Sequence, residues 1–224
     1  MENPESLGDF ISAVALWSLP LLAAVICHEV AHGFVALRLG DDTAARMGRL
    51  TLNPLPHIDP VGTVVLPALL LFAGAPVFGY ARPVPVDYRN LRDPRRGMVL
   101  VALAGPLVNV TLAVLSALVF RQLFVYLSRL DGAGAGIATS LLVPLALMAQ
   151  RSVVINVVLA VFNLLPIPPL DGGRVLSGLL PAGPARAVAA IEPFGFLILV
   201  VLLMTRTLGA LLEMPVRFLV GVLL

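Results

Sequence analysis

Side chains able to do chemistry are scarce in this chain, and the densest group of them is Cys27-His28-Glu29-Val30-Ala31-His32. Residues four apart on a helix share a face and lie about 6 Å apart along its axis, so His28 and His32 can converge on one divalent cation. Glu29 between them then stays beside that cation and the water it activates, where a carboxylate can act as general base. Cys27 faces another way and reads as an apolar filler. Two histidines leave the coordination incomplete, because a catalytic zinc takes three protein ligands and keeps one position open. The candidates for the third are Asp171, His57, Asp59, Glu192 and Glu213.

On a solvated helix this pattern would be weak, but the element that carries it is apolar from about Phe10 to Leu39. His28 lies roughly 16 Å of helix rise before the end of that run, at a depth where an unpaired ionisable group costs several kcal/mol. Such groups need partners, and the alternative to a metal site is a polar cluster between helices. The composition sets the same scene. With 59% hydrophobic and 12% charged residues in 224, and a mean hydropathy of +0.98, the chain is no ordinary soluble domain. Fifteen basic residues, all Arg, against thirteen acidic ones leave a charge of +2. That small surplus implies no nucleic-acid partner. The single cysteine excludes an internal disulfide and an all-cysteine metal site.

A span needs about 20 apolar residues. After Phe10–Leu39, which starts too acidic (Glu2, Glu5, Asp9) and runs too long for a cleaved signal peptide, come Gly97–Leu127 and Ile137–Leu165. The glycine-rich turn 131–136 joins those two as an antiparallel hairpin. Residues 187–224 are broken by Glu192-Pro193, Arg206 and Glu213-Met-Pro215, and read as two short spans in preference to one span and an interfacial helix. Gly62–Tyr80, interrupted by Pro67 and Gly74-Ala-Pro76, either crosses or turns back. If it turns back, Arg38, Arg46, Arg49, Arg82, Arg89, Arg92, Arg95, Arg96, Arg174 and Arg186 share one side, opposite the acidic start. That positive-inside pattern favours the re-entrant reading. The expected fold is an all-α integral membrane bundle of about five to six transmembrane helices with a re-entrant segment. Between the first and second full spans there is room for short β-strands. Residues 1–224 read as one membrane-embedded domain with a core over about 10–180 and C-terminal helices over 187–224.

Asp171 stands out among the third-ligand candidates because it sits in Asn163-Leu-Leu-Pro-Ile-Pro-Pro-Leu-Asp-Gly-Gly173, directly after a long apolar stretch. Irregular backbone at membrane depth is tolerated where it is buried in protein or lines a watered cavity. The plain alternative is a turn in which Asp171 caps a helix starting near Arg174. For His57, among Asn53, Pro54, Pro56 and Pro60, loop polarity is the simpler reading. Topology supports Asp171 independently. It meets the histidines only if residues 40–96 cross the bilayer an even number of times, which is the solution the arginines favour.

On these residues the chain resembles the site-2 protease family of intramembrane zinc metalloproteases, the M50 peptidases. His28-Glu-Val-Ala-His32, Asn163 with Pro166, Pro168 and Leu170-Asp171-Gly172, and Ala104-Gly-Pro-Leu-Val-Asn109 follow the family's motifs. Arg82-Pro-Val-Pro85 and Asn90-Leu-Arg-Asp-Pro-Arg-Arg96 look like its compact prokaryotic branch. No loop is long enough for a PDZ or CBS domain, and a helix found ahead of the metal helix in some relatives is missing. The resemblance implies His28, His32 and Asp171 as ligands of one Zn²⁺ per chain, Glu29 as the catalytic carboxylate and Asn163 as a polar helper for substrate or oxyanion. A buried Asn satisfying freed carbonyls is the alternative for Asn163. Gly105-Pro106 reads as close packing and a kink, and Asn109 as a bond across helices.

The expected activity is hydrolysis of peptide bonds within or next to transmembrane segments of membrane-protein substrates, with water reaching the site from the cytoplasmic side of a prokaryotic inner membrane. Lipids and a gating partner protein are the other expected associates. A substrate helix must unwind first, and the apolar edges flanking Gly74 and Gly79 are placed to pair with it. Two rivals use the same ligands: a non-proteolytic metal binder or transporter, and a pseudoprotease. The pseudoprotease would have lost a ligand or the Glu, and neither is lost.

Overall fold

The computed structural model describes residues 7–72, 79–130 and 135–224. Helix α1 (Leu7–Leu39) carries both motif histidines. It stops where the sequence supplies a glycine. Gly40 adopts φ 118°, its N–H bonds the Leu37 carbonyl at 3.2 Å, and the Asp41 N–H bonds that of Ala36 at 2.9 Å. This paired capping pattern needs a left-handed residue, and a side chain there would also press on the Asn90 carbonyl. The short α2 (Thr43–Arg46) ends the same way at Gly48, φ 64°. That second turn delivers Arg49 into the interior, where it is 6% exposed.

The loop after α1 is tied to the start of the next long helix by one carboxylate. Buried Asp41 accepts from the Thr43 N–H and hydroxyl, the Asn90 amide and the Asp87 N–H. Burial pushes its pKa up, but these four bonds outweigh burial and hold it below the usual 3.8. A depressed carboxylate adds stability that is complete above its unfolded value and is lost as pH falls through the lower folded one. Asp41→Ala, which leaves four donors without their acceptor, is therefore expected to destabilise by about 2 kcal/mol at pH 7. Thermal unfolding in detergent measures this, and the gap between wild type and variant should narrow as pH falls below the ordinary carboxylate value.

Asp59 caps the next turn by accepting from the Val61 and Gly62 N–H groups at 3.0 and 2.7 Å. The π-helical turn Pro60–Val65 then runs into α3 (Leu66–Phe72). The chain is back at its starting point by Tyr80, whose N–H donates to the Gly62 carbonyl at 3.0 Å while the Thr63 hydroxyl donates to the Tyr80 carbonyl. Gly74 and its expected pairing edge lie outside the described residues. Residues 79–87 carry no helix or strand, and no β-strand occurs among the described residues. Pro83 and Pro85 account for this locally, because they remove the N–H donor from every second position.

Helix α4 (Pro94–Leu127) begins with Asp93 as N-cap, accepting from the Arg96 N–H at 3.1 Å, and with proline in its first turn. Helix α5 (Ala135–Asn163) returns antiparallel beside it. Small residues let the pair approach: Ala113 and Ala117 of α4 meet Val153 and Val157 of α5. Helix α4 packs against α1, α5 and α6 (Asp171–Leu179), which makes it the central element. Its other side carries exposed Leu107, Leu115 and Leu118, a surface suited to lipid.

Beyond α6, α7 (Ala182–Ile191) continues through a 3₁₀ turn into α8 (Gly195–Met204), and α9 (Thr207–Leu223) follows. The break between the last two is Arg206, at φ 60°. Among the described residues, four helical stretches are long and apolar enough to cross a membrane: Val14–Leu39, Pro94–Leu127, Ala138–Asn163 and Ala182–Met204. Residues 187–224 thus supply the end of one such stretch and, in α9, a 17-residue helix packed on α5.

Candidate metal centre

Three chain segments converge below the end of α1. His28 and His32 project from one face of α1, with ring centroids 4.6 Å apart and ring planes at 83°. Asp171 reaches them from the first turn of α6, and its Oδ2 lies 3.2 Å from His28 Nε2 and 3.3 Å from His32 Nε2. One ligand atom from each residue falls within 4.8 Å of the others, and all three residues are buried. The loop before α6 explains how a residue so far along the chain gets there. Leu164–Leu170 turns sharply, and Gly172 and Gly173 sit against the carbonyls of Leu164 and Leu165 and the backbone of Pro168, where a Cβ would collide. The N-cap of α6 is Leu170, with no side-chain cap, so Asp171 is not serving as the helix cap.

The ring tautomers follow from the far side of each histidine. His32 Nδ1 lies 2.7 Å from the Val101 carbonyl, which can only accept, so Nδ1 carries the proton. His28 Nδ1 lies 2.5 Å from Asn109 Oδ1 and donates likewise. In the neutral rings both Nε2 atoms therefore present lone pairs to Asp171 Oδ2, and no other donor reaches that oxygen. Three electron-rich atoms facing one another in a buried space are destabilising without a cation between them. Space for one is kept by Gly105 of α4: a Cβ there would land on His32 Nε2 and lie 2.6 Å from His28 Cε1 and Nε2. The donor set, two imidazoles and a carboxylate, is one that zinc favours.

Glu29 points to a neighbouring part of the same region, where its Oε2 accepts the Val84 N–H at 2.8 Å. Arg49 supports that loop from beneath, donating to the carbonyls of Arg82 and Pro83 at 2.8 and 3.3 Å. Burial and the neighbouring Arg82 charge lower the Arg49 pKa, and the nearby Glu29 carboxylate opposes them. Sequence places Arg49 only among the arginines sharing one side of the membrane, and the structure makes it a buried clamp. Asn163 donates to the Leu159 carbonyl of its own helix at 3.0 Å.

The other third-ligand candidates are engaged elsewhere. His57 is buried with Nε2 on the Thr51 carbonyl. Asp59 caps its turn, Glu192 lies 4.0 Å from Arg174, and Glu213 is on α9. Sequence reasoning missed Val101, Arg49, Val84 and Asn156, and read Gly105 only as a packing residue. A signal existed for part of this: Val101, Gly105 and Asn109 are spaced by four and so share one face of α4.

His28, His32 and Asp171 form a buried group able to hold a metal ion, and the comparisons with known proteins give the family. The model of peptidase family M50 matches residues 134–204. YwhC of Bacillus subtilis, given the name of a zinc metalloprotease, is 40% identical over 187 residues, covering 84% of this chain and 79% of its own. Two proteins called Rip2, named in the same way, are similar over slightly longer stretches. The one from Mycolicibacterium smegmatis is 34% identical over 204 residues, 91% of this chain and 70% of its own. That from Mycobacterium tuberculosis is 33% identical over 205 residues, 90% and 70%. No solved structure matches the chain. The chain belongs to peptidase family M50, and with it to the metalloendopeptidases.

Proposed function

We propose that this protein is an intramembrane zinc protease that hydrolyses peptide bonds within or next to transmembrane segments of other membrane proteins. One observation carries the reading: two lone-pair nitrogens and an undonated carboxylate oxygen converge in a space that Gly105 leaves open. His28, His32 and Asp171 would hold one zinc ion per chain. The ion supplies Lewis acidity, polarising the scissile carbonyl and acidifying water. Glu29 would serve as general base toward water and as the group that returns a proton to the leaving amine. Asn163 stands near the end of α5 as the polar helper for substrate.

The active site faces the cytoplasmic side of the inner membrane in this reading. Residues 62–80 are re-entrant, which is supported by the return of Tyr80 to Gly62. Residues 1–224 work as one domain, and a substrate unwinds beside residues 79–87, which carry no helix or strand. Lipids surround the bundle, and a partner protein gates access.

The Val84 N–H holds Glu29 in this scheme, so Val84→Pro is expected to leave zinc content unchanged while cleavage falls by about a hundredfold, the usual effect of a misplaced catalytic group. The proposal itself is tested on protein purified in detergent. Metal analysis should find one zinc per chain, and a model transmembrane peptide should be cut, with cleavage lost on chelation and restored by zinc. Cleavage that survives complete removal of the metal, or a protein that takes up no zinc, would overturn it.

A further inference from the structure

The polar groups behind His28 form a chain that the proposed reaction does not use directly. Asn109 is fully buried and Asn156 is 1% exposed, both between α1, α4 and α5. Asn156 Nδ2 donates to the Ser152 carbonyl at 2.9 Å, and Asn109 Nδ2 donates to the Ala24 carbonyl at 3.2 Å. A main-chain carbonyl can only accept, so each contact fixes which end of its amide is nitrogen. Asn156 Oδ1 must then face Asn109, and it accepts from Asn109 Nδ2 at 2.8 Å. Asn109 Oδ1 must in turn face His28 Nδ1, at 2.5 Å.

The consequence reaches the metal centre. In the neutral ring of His28, an oxygen at that position admits only the tautomer with its proton on Nδ1, which leaves Nε2 bare toward Asp171. If the amide of Asn109 turned over, an N–H would face Nδ1, the ring proton would move to Nε2, and the atom aimed at the metal would lose its lone pair. His32 takes its orientation from main chain, the Val101 carbonyl. His28 takes it from a side chain, and that side chain is steadied by a second one.

We propose that Asn109, itself oriented by Asn156, is the positioning residue that sets the tautomer and aim of His28. The inference rests on the metal reading above, but its primary test does not need metal. The chain holds three histidines, His28, His32 and His57, so selective ¹⁵N-histidine labelling gives a ring spectrum simple enough to assign. In metal-free protein in detergent, wild type should show His28 and His32 with Nδ1 protonated and Nε2 bare.

Asn109→Leu should convert His28 to a mixture of tautomers and leave the His32 signals in place, and Co²⁺ affinity, read from its visible absorption, should fall by about ten- to a hundredfold. Asn156→Leu should move both readouts the same way by a smaller amount. Asn109→Asp keeps an acceptor facing His28 while losing the donor to Ala24 and Asn156, so it should restore the wild-type tautomer and bring Co²⁺ affinity to within about threefold. A merely structural Asn109 would fail equally as Asp and as Leu, and that result would overturn the proposal. So would an unchanged His28 tautomer in Asn109→Leu, or His32 signals moving as far as those of His28. If wild type shows the expected tautomers yet binds no Co²⁺, the metal reading fails while the tautomer assignment stands.

Discussion

Glu29→Gln is expected to keep its metal and lose its activity, by about a hundred- to ten-thousandfold, the range usual for removal of a general base. The variant is nearly isosteric, and its amide oxygen can still accept the Val84 N–H that Glu29 Oε2 now accepts. It removes no member of the His28, His32 and Asp171 group. Geometry and coordination should survive, and what is lost is a carboxylate able to accept a proton. The measurements are zinc per chain and the rate of cleavage of a transmembrane peptide, made on the same preparation. Cleavage within a few-fold of wild type would remove Glu29 from the mechanism. The variant also separates a protease from a metal transporter with the same ligands, since transport has no need of a carboxylate at this position.

The parts of the site that could be read in advance are those obeying local rules. His28 and His32 are four apart on one helix, so their shared face follows from helical geometry. Asp171 needed topology as well, and the alternative of a helix cap is settled by Leu170 standing in that position. Asn109 was legible as a bond between helices, but its partner was not, because nothing in sequence aligns residue 109 with residue 28. Val101 contributes only a carbonyl, and a main-chain contact leaves no trace in residue type. Arg49 was legible only as one of the arginines on one side of the membrane, because a sequence does not show that Gly48 turns the chain inward. The long apolar helices were legible for the same reason as the histidines: length and hydropathy are local. Short strands between the first two full spans were allowed for on the glycine pattern and the family resemblance, but Pro83 and Pro85 deny residues 79–87 two of their donors.

Gly105→Ala should abolish tight zinc binding although it changes none of the ligands. The added methyl would land on His32 Nε2 and lie 2.6 Å from His28 Nε2, in the space where the metal must sit. Ordinarily a helix relieves such a clash by sliding away, but here the rings are fastened to the same helix on either side of the glycine. His32 bonds the Val101 carbonyl, four residues before it, and His28 bonds Asn109, four residues after it. Moving α4 outward pulls on both rings, so relief requires breaking a bond that sets a tautomer. Overpacking of this kind costs about 1–3 kcal/mol, equivalent to about ten- to a hundredfold in affinity, before any loss of lone-pair alignment is counted. Helix propensity acts in the opposite sense, since alanine in a helix interior is favoured over glycine by about 1 kcal/mol. The metal-free variant should therefore unfold within a few degrees of metal-free wild type even though its zinc affinity collapses. Gly209→Ala, on α9 with nothing within 4 Å of the new methyl, is the control and should bind zinc as wild type does. A Gly105→Ala protein with unaltered zinc affinity would mean that the ion does not lie between the two Nε2 atoms and Asp171.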